Sequence, residues 1–168
     1  MTGKAEWDRR MADLWAAFDS LDPADFLARV EALAAERPPD DAAALFERAS
    51  AHDSTGHEAQ AAGLYRLALA AGLTGLRRRR AVIQLASTLR NLGQAEESVA
   101  LLIAERDAGS DELDDAVAAF LALALADTGR EREAAALALA ALARHLPRYN
   151  RSLANYARAL AERPGGEG

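Results

Sequence analysis

Apolar residues recur every three or four positions along almost the whole chain and hardly ever alternate. Trp7, Met11, Trp15 and Phe18 make one continuous stripe, the spacing of a helix face rather than a strand. Ser20, Leu21 and Asp22 interrupt it. Pro23 then suits the first turn of a second helix, with Phe26, Leu27, Val30, Leu33 and Ala34 turned inward. Pro38 and Pro39 end that segment, and Asp40 or Asp41 starts the next. The pattern predicts about nine helices, over roughly 4–18, 23–37, 41–53, 58–71, 75–91, 94–107, 111–127, 131–145 and 148–162. β-Branched residues are few and no Asn-Gly turn occurs, so an all-α chain is expected.

Three glycines punctuate the pattern at nearly equal spacing: Gly56, Gly93 and Gly129, 37 and 36 residues apart. Seven positions before each stands an alanine, Ala49, Ala86 or Ala122. Five after stands a small residue, Ala61, Ser98 or Ala134, and eight after a leucine, Leu64, Leu101 or Leu137. A period in the mid-thirties with small residues at fixed offsets is that of stacked helix–turn–helix units. Each glycine is expected to end a first helix with a positive φ. The two small residues are expected where the paired helices cross, since larger side chains would force them apart. Leu85 and Leu121, with the three leucines after the glycines, fill the space between successive pairs.

Composition narrows the class of function. The chain has 168 residues, of which 51% are hydrophobic and 27% charged. Much of the apolar share is alanine, which favours helix but buries little surface per residue. Net charge is −6, which argues against general nucleic-acid binding, a process driven by Lys and Arg on phosphates. The absence of cysteine removes disulfides, thiolate nucleophiles and cysteine metal sites, and fits a reducing compartment. The N-terminal ten residues are polar and no signal peptide is read. The longest uncharged run, 116–126, is too short to span a bilayer. The expectation is a soluble, cytoplasmic chain without a membrane partner.

At this point the residues resemble the tetratricopeptide repeat family, a 34-residue helix–turn–helix unit. The unit's glycine is preceded by a small residue at seven places and a large one at four. It is followed by alanine at five, an aromatic at nine, alanine at twelve and proline at seventeen. Around Gly56 these places hold Ala49, His52, Ala61, Tyr65 and Ala68. Around Gly93 they hold Ala86, Leu89, Ser98, Leu102 and Glu105, the last departing from the pattern. Around Gly129 they hold Ala122, Leu125, Ala134, Ala138 and Ala141, with Pro147 one place late. The resemblance covers roughly residues 41–147. The final segment, with Leu153, Tyr156, Ala157 and Leu160, looks like a lone first helix serving as a cap. In the N-terminal pair Leu14 takes the small place and no glycine marks the turn, so it reads as a degenerate unit. The division expected is a helical pair at 1–38, three repeats at 39–147, a capping helix at 148–163 and a disordered tail at 164–168.

The resemblance implies a right-handed superhelix of antiparallel helix pairs whose first helices line a concave groove. The places that would face it are Ala43, Phe46, Ser50 and Asp53; Arg80, Ile83, Ser87 and Arg90; Ala116, Ala119, Leu123 and Ala126; and, from the cap, Arg151, Ala154, Asn155 and Arg158. Phe46, Ile83 and Leu123 would give an apolar floor. The arginines would capture carboxylates, which suits an acidic or C-terminal-carboxylate peptide. The Lys and Asn clamp that some relatives use on chaperone tails is not matched: Phe46, Ser50, Ser87, Ala116 and Ala119 stand at the compared places. The implied role is a non-enzymatic scaffold that binds a protein or peptide. The alternative is a homodimer formed through the apolar third unit.

Residue chemistry adds no catalytic constellation and no cofactor motif. His52 and His57 flank the first turn but lack a third ligand; His52 is expected to pack and His57 to sit in the turn. Asp111, Glu112, Asp114 and Asp115 open a helix after Ser110, where acids complement the helix dipole. The run Arg77, Arg78, Arg79 and Arg80 reads as a solvated helix start, as pairing with acids of neighbouring units, or as groove lining.

Overall fold

The computed structural model describes residues 3–162; the tail expected at 164–168 lies outside them. The helices are α1 Gly3–Ala16, α2 Pro23–Ala34, α3 Ala42–Ser54, α4 Glu58–Ala70, α5 Gly75–Asn91, α6 Ala95–Ala108, α7 Asp114–Asp127, α8 Glu131–Ala143 and α9 Asn150–Glu162. Among the described residues there is no strand. Consecutive helices pack on one another, α1 on α2, α2 on α3, α3 on α4, and likewise from α6 to α9. The chain divides into two compact units, one up to Ala81 and one from Val82 onward, the division falling inside α5.

In the first unit, Asp22 caps α2 by accepting the Ala24 N–H at 2.9 Å, with Pro23 in the first turn. A short 3₁₀ turn, Phe18–Ser20, closes α1 two residues before the expected end. Trp7, Met11, Phe26, Val30, Leu33 and Ala34 form the core here, joined by Ala44 and Ala51 of α3. Trp15, Phe18 and Phe26 pack as an aromatic trio with centroids 4.8 to 5.9 Å apart, a tilted geometry that suits their quadrupoles. The Trp7 indole donates at 2.8 Å to the Leu33 carbonyl at the end of α2, which also accepts the Glu36 N–H at 3.3 Å.

The repeat glycines do what their spacing demands. Gly56, Gly93 and Gly129 have φ of 80°, 78° and 76°. The N–H after each glycine reaches five residues back: His57 to His52, Gln94 to Leu89, Arg130 to Leu125, at 2.8 to 2.9 Å. The glycine N–H itself reaches three back. This is one helix-terminating motif built three times. Gly72 repeats it at the end of α4, with φ 84° and a bond from Leu73 to Ala68; the mid-thirties period does not mark that glycine.

The small residues are buried as expected: Ala49, Ala86 and Ala122 before the glycines, Ala61, Ser98 and Ala134 after them. In the second unit Ile83, Ala86, Val99, Leu102, Val117, Leu121, Ala122, Ala124, Leu125 and Ala134 make one core, with Leu101 and Leu137 half-buried against it. Glu105 is buried in the place of an alanine. Ala138, in the place held by Tyr65 and Leu102, stays exposed. α7 begins at Asp114, three residues later than expected. Asp111 instead accepts the Leu113 N–H at 2.8 Å in the preceding turn, while Asp114 and Asp115 occupy the first helical turn.

Candidate functional site

In the first unit the arginine run begins with a residue committed to the chain's own acids. Arg77 donates to Asp8 at 2.8 Å and lies 3.3 Å from Glu47. Glu47 is only 6% exposed, and its other oxygen accepts the Trp15 indole N–H at 2.8 Å. Burial pushes the Glu47 carboxyl above its ordinary range, against the pull of Trp15, Arg77 and Arg80. Neither Arg78 nor Arg79 is without a partner, and Arg79 is buried. Arg78 and Arg80 are exposed, and the Arg80 guanidinium lies 5.2 Å from the Phe46 ring centroid. The sequence pattern gave no signal for Glu47, which sits on α3 as a charged residue among apolar neighbours.

The predicted groove residues of this unit are therefore mostly interior. Phe46 has no exposed surface and Ser50 is 2% exposed. The Tyr65 hydroxyl lies 3.4 Å from both Ser50 Oγ and Asp53 Oδ2; burial, with Asp53 nearby, pushes that hydroxyl well above its ordinary range. A guest in this unit would meet Arg80, with Phe46 behind it.

In the second unit the expected lining separates into three groups. Ile83 belongs to the core. Arg90 is paired with Asp127 at 2.6 Å, from α5 to α7, so its charge is already met; Ser87 is half-buried. Leu123 is open, 46% exposed, and Arg151, Asn155 and Arg158 are exposed on α9.

Arg158 also borders an apolar recess of this unit. A cleft of about 440 Å³ between α8 and α9 is lined by Arg106 of α6 and by Ala136, Leu137, Ala140, Ala154, Ala157 and Ala161. Glu133 stands at the rim, bonded to Arg130 at 3.0 Å. Arg106 pairs with the adjacent Asp107 at 2.9 Å. Arg158 forms no ion pair among the described residues. The recess thus offers a small-residue wall, an aliphatic contact and one uncommitted guanidinium, a combination that takes a short apolar group beside a carboxylate. Of the expected lining, Ala154 and Arg158 fall here. Arg106, Leu137 and Ala140 come from second helices, which the first-helix rule passes over.

The histidines lie apart from this recess. His52 is half-buried, its Nε2 3.1 Å from Glu31, which also accepts from Arg48 at 2.7 Å. His57 lies in the turn with its ring 5.6 Å from that of His52. Among the described residues no group of three or more His, Cys, Asp or Glu side chains is placed to hold a metal ion. Nor is any described helix long and apolar enough to cross a membrane.

Comparison with known proteins agrees with the repeat geometry. The family profile described as Tetratrico peptide repeat matches residues 42–160, which takes in α3 to α8 and most of α9. No curated protein and no solved structure matches the chain. With three equivalent glycine-ended turns, buried small residues at matching offsets and a profile spanning most of its length, the chain belongs to the tetratricopeptide repeat family.

Proposed function

We propose that this chain is a protein-binding module that captures an acidic or C-terminal-carboxylate segment of a partner in the α8–α9 cleft. Tetratricopeptide repeats generally mediate protein–protein interaction, and the family is typically a non-enzymatic scaffold. The observation that carries the finer reading is Arg158: it stands unpaired beside a wall of alanines, whereas Arg77 and Arg90 are neutralised by Asp8 and Asp127. A small apolar side chain would enter the cleft, and its neighbouring carboxylate would meet the Arg158 guanidinium in a bidentate pair. Asn155 and Arg151, one and two turns away on α9, extend the polar margin.

The alternative, homodimerisation through the third unit, has less surface to work with. Val117, Leu121, Ala122, Ala124 and Leu125 are spent on the chain's own core, leaving Leu123 and Leu142 half open.

The test uses short peptides ending in an apolar residue, with free or amidated C-termini, titrated against the full chain by fluorescence anisotropy. Arg158→Glu is expected to weaken binding of the free-acid peptides by more than about tenfold, since a charge-assisted pair is worth ~1.5–3 kcal/mol. Arg80→Glu is expected to have a smaller effect. Binding that is insensitive to both the terminal carboxylate and Arg158→Glu overturns the reading.

A further inference from the structure

α9 ends on a hydrogen bond that its own sequence cannot make. In a continuing helix the Leu160 carbonyl would accept the N–H four places on, but that place is Pro164, which has none. The donor comes instead from the neighbouring helix. Arg132, in the first turn of α8, donates from Nε to the Leu160 carbonyl at 3.1 Å. α9 has no basic residue in its last turn, so Arg132 also supplies the positive charge that a helix C-terminus favours.

Arg132 shares a row of α8 with Ala136 and Ala140, four and eight places on, which line the cleft. α9 supplies the facing alanines, Ala154, Ala157 and Ala161, together with Arg158. Ala157 is the one buried residue of α9. Each alanine buries little surface, and a smooth wall resists sliding weakly. Apolar packing therefore holds α9 loosely along the length of α8, and the polar bond at Leu160 adds a fixed point. Arg158 lies two residues before Leu160, so a point fixed at that carbonyl fixes Arg158 as well.

We propose that Arg132 is the positioning residue of the α8–α9 cleft. By holding the Leu160 carbonyl it sets α9 along α8, and so sets how far the Arg158 guanidinium stands from the alanine wall. This role rests on the peptide-binding reading of the cleft. A guest is then selected by the spacing between its small apolar group and its carboxylate, a spacing that Arg132 controls without touching the guest.

The test takes one short peptide ending in alanine, with a free or an amidated C-terminus. It is titrated by fluorescence anisotropy against the full chain and its Arg132 variants. The parent is expected to prefer the free acid by about tenfold or more. Arg132→Met, similar in length but without a donor, is expected to cut that preference at least about fivefold, the value of one net hydrogen bond. The amidated peptide should bind this variant as it binds the parent. Arg132→Lys keeps a charged donor and is expected to keep most of the preference. Arg132 is exposed, and circular dichroism checks that each variant retains its helices. A parent without the preference overturns the reading of Arg158 and this role together. A parental preference that Arg132→Met leaves intact overturns this role alone. Equal weakening of both peptides does the same, as does a lysine variant that behaves like the methionine one.

Discussion

The indole Nε1 of Trp15 donates a 2.8 Å hydrogen bond to Glu47 Oε2, tying α1 to α3 through a carboxylate that is 6% exposed. Arg77, from the first turn of α5, approaches the other oxygen at 3.3 Å and holds Asp8 at 2.8 Å. Three helices are thereby joined at one buried charge, which is tolerated because donors face both of its oxygens.

Removing that charge should be felt through its partners. Glu47→Ala leaves the Trp15 N–H and the Arg77 guanidinium without their acceptor, and is expected to lower unfolding free energy by about 1–3 kcal/mol in urea titration. Glu47→Gln keeps an acceptor for Trp15 and should be milder. Its penalty also depends on pH, with a definite sign. Burial raises the folded-state pKa of Glu47, so the folded chain holds this proton more tightly than the unfolded chain does. Stability from Glu47 is fully present below the ordinary carboxylate value and is lost as pH rises through the raised value. Denaturation curves at acid and neutral pH should therefore show the Gln variant gaining on the parent as pH rises.

Asp41 should behave in the opposite sense. It caps α3 by accepting the Ala44 N–H at 2.9 Å and pairs with Arg37 at 2.6 Å. Burial pushes its pKa up, but that N–H and Arg37 outweigh the burial and hold it below the ordinary range. Its contribution is present above the ordinary carboxylate value and is lost as pH falls through the lowered one. Asp41→Ala is expected to cost about 1 kcal/mol at neutral pH through the lost cap. Asp41→Asn keeps the cap and should cost less, with the difference from the parent vanishing in acid.

The glycine turns predict a position-specific penalty. A Cβ at Gly56, Gly93 or Gly129 would meet nothing within 4 Å, so substitution acts through φ alone. Each Gly→Ala change is expected to cost about 1–2 kcal/mol, and Gly→Asn less. Gly72→Ala should match them. Gly109, with φ of 173° in extended backbone, is the control and should tolerate alanine. Thermal melts of the five variants check this.

Ser98 offers a gain instead. It holds the small place where the other repeats have Ala61 and Ala134, yet its Oγ is buried without a hydrogen-bond partner. Ser98→Ala removes that hydroxyl while keeping the volume the crossing requires, and is expected to raise stability by about 1 kcal/mol in the same denaturation assay.

The site was less legible than the fold, for a physical reason. Helix periodicity, caps and glycine offsets are local, so they could be read from residues a few places apart. Whether a lining residue is open depends on what other segments bring to it. Phe46, Ser50 and Ile83 occupy groove places by their offset from a glycine, but they are buried in the structure. Arg90 carries the right charge and finds Asp127. Arg106 and Leu137 enter the α8–α9 cleft from helices that the offset rule assigns to the other side.

By itself the sequence determined nine helices, three equivalent turns and the small residues at their crossings, because each follows from steric limits on φ and on the approach of neighbouring turns. Tertiary structure alone decided which charges are spent. Glu47 is sealed beneath Trp15 while Arg158 is left uncommitted, because pairing and desolvation are set by segments far apart in the chain, where no local spacing carries the signal.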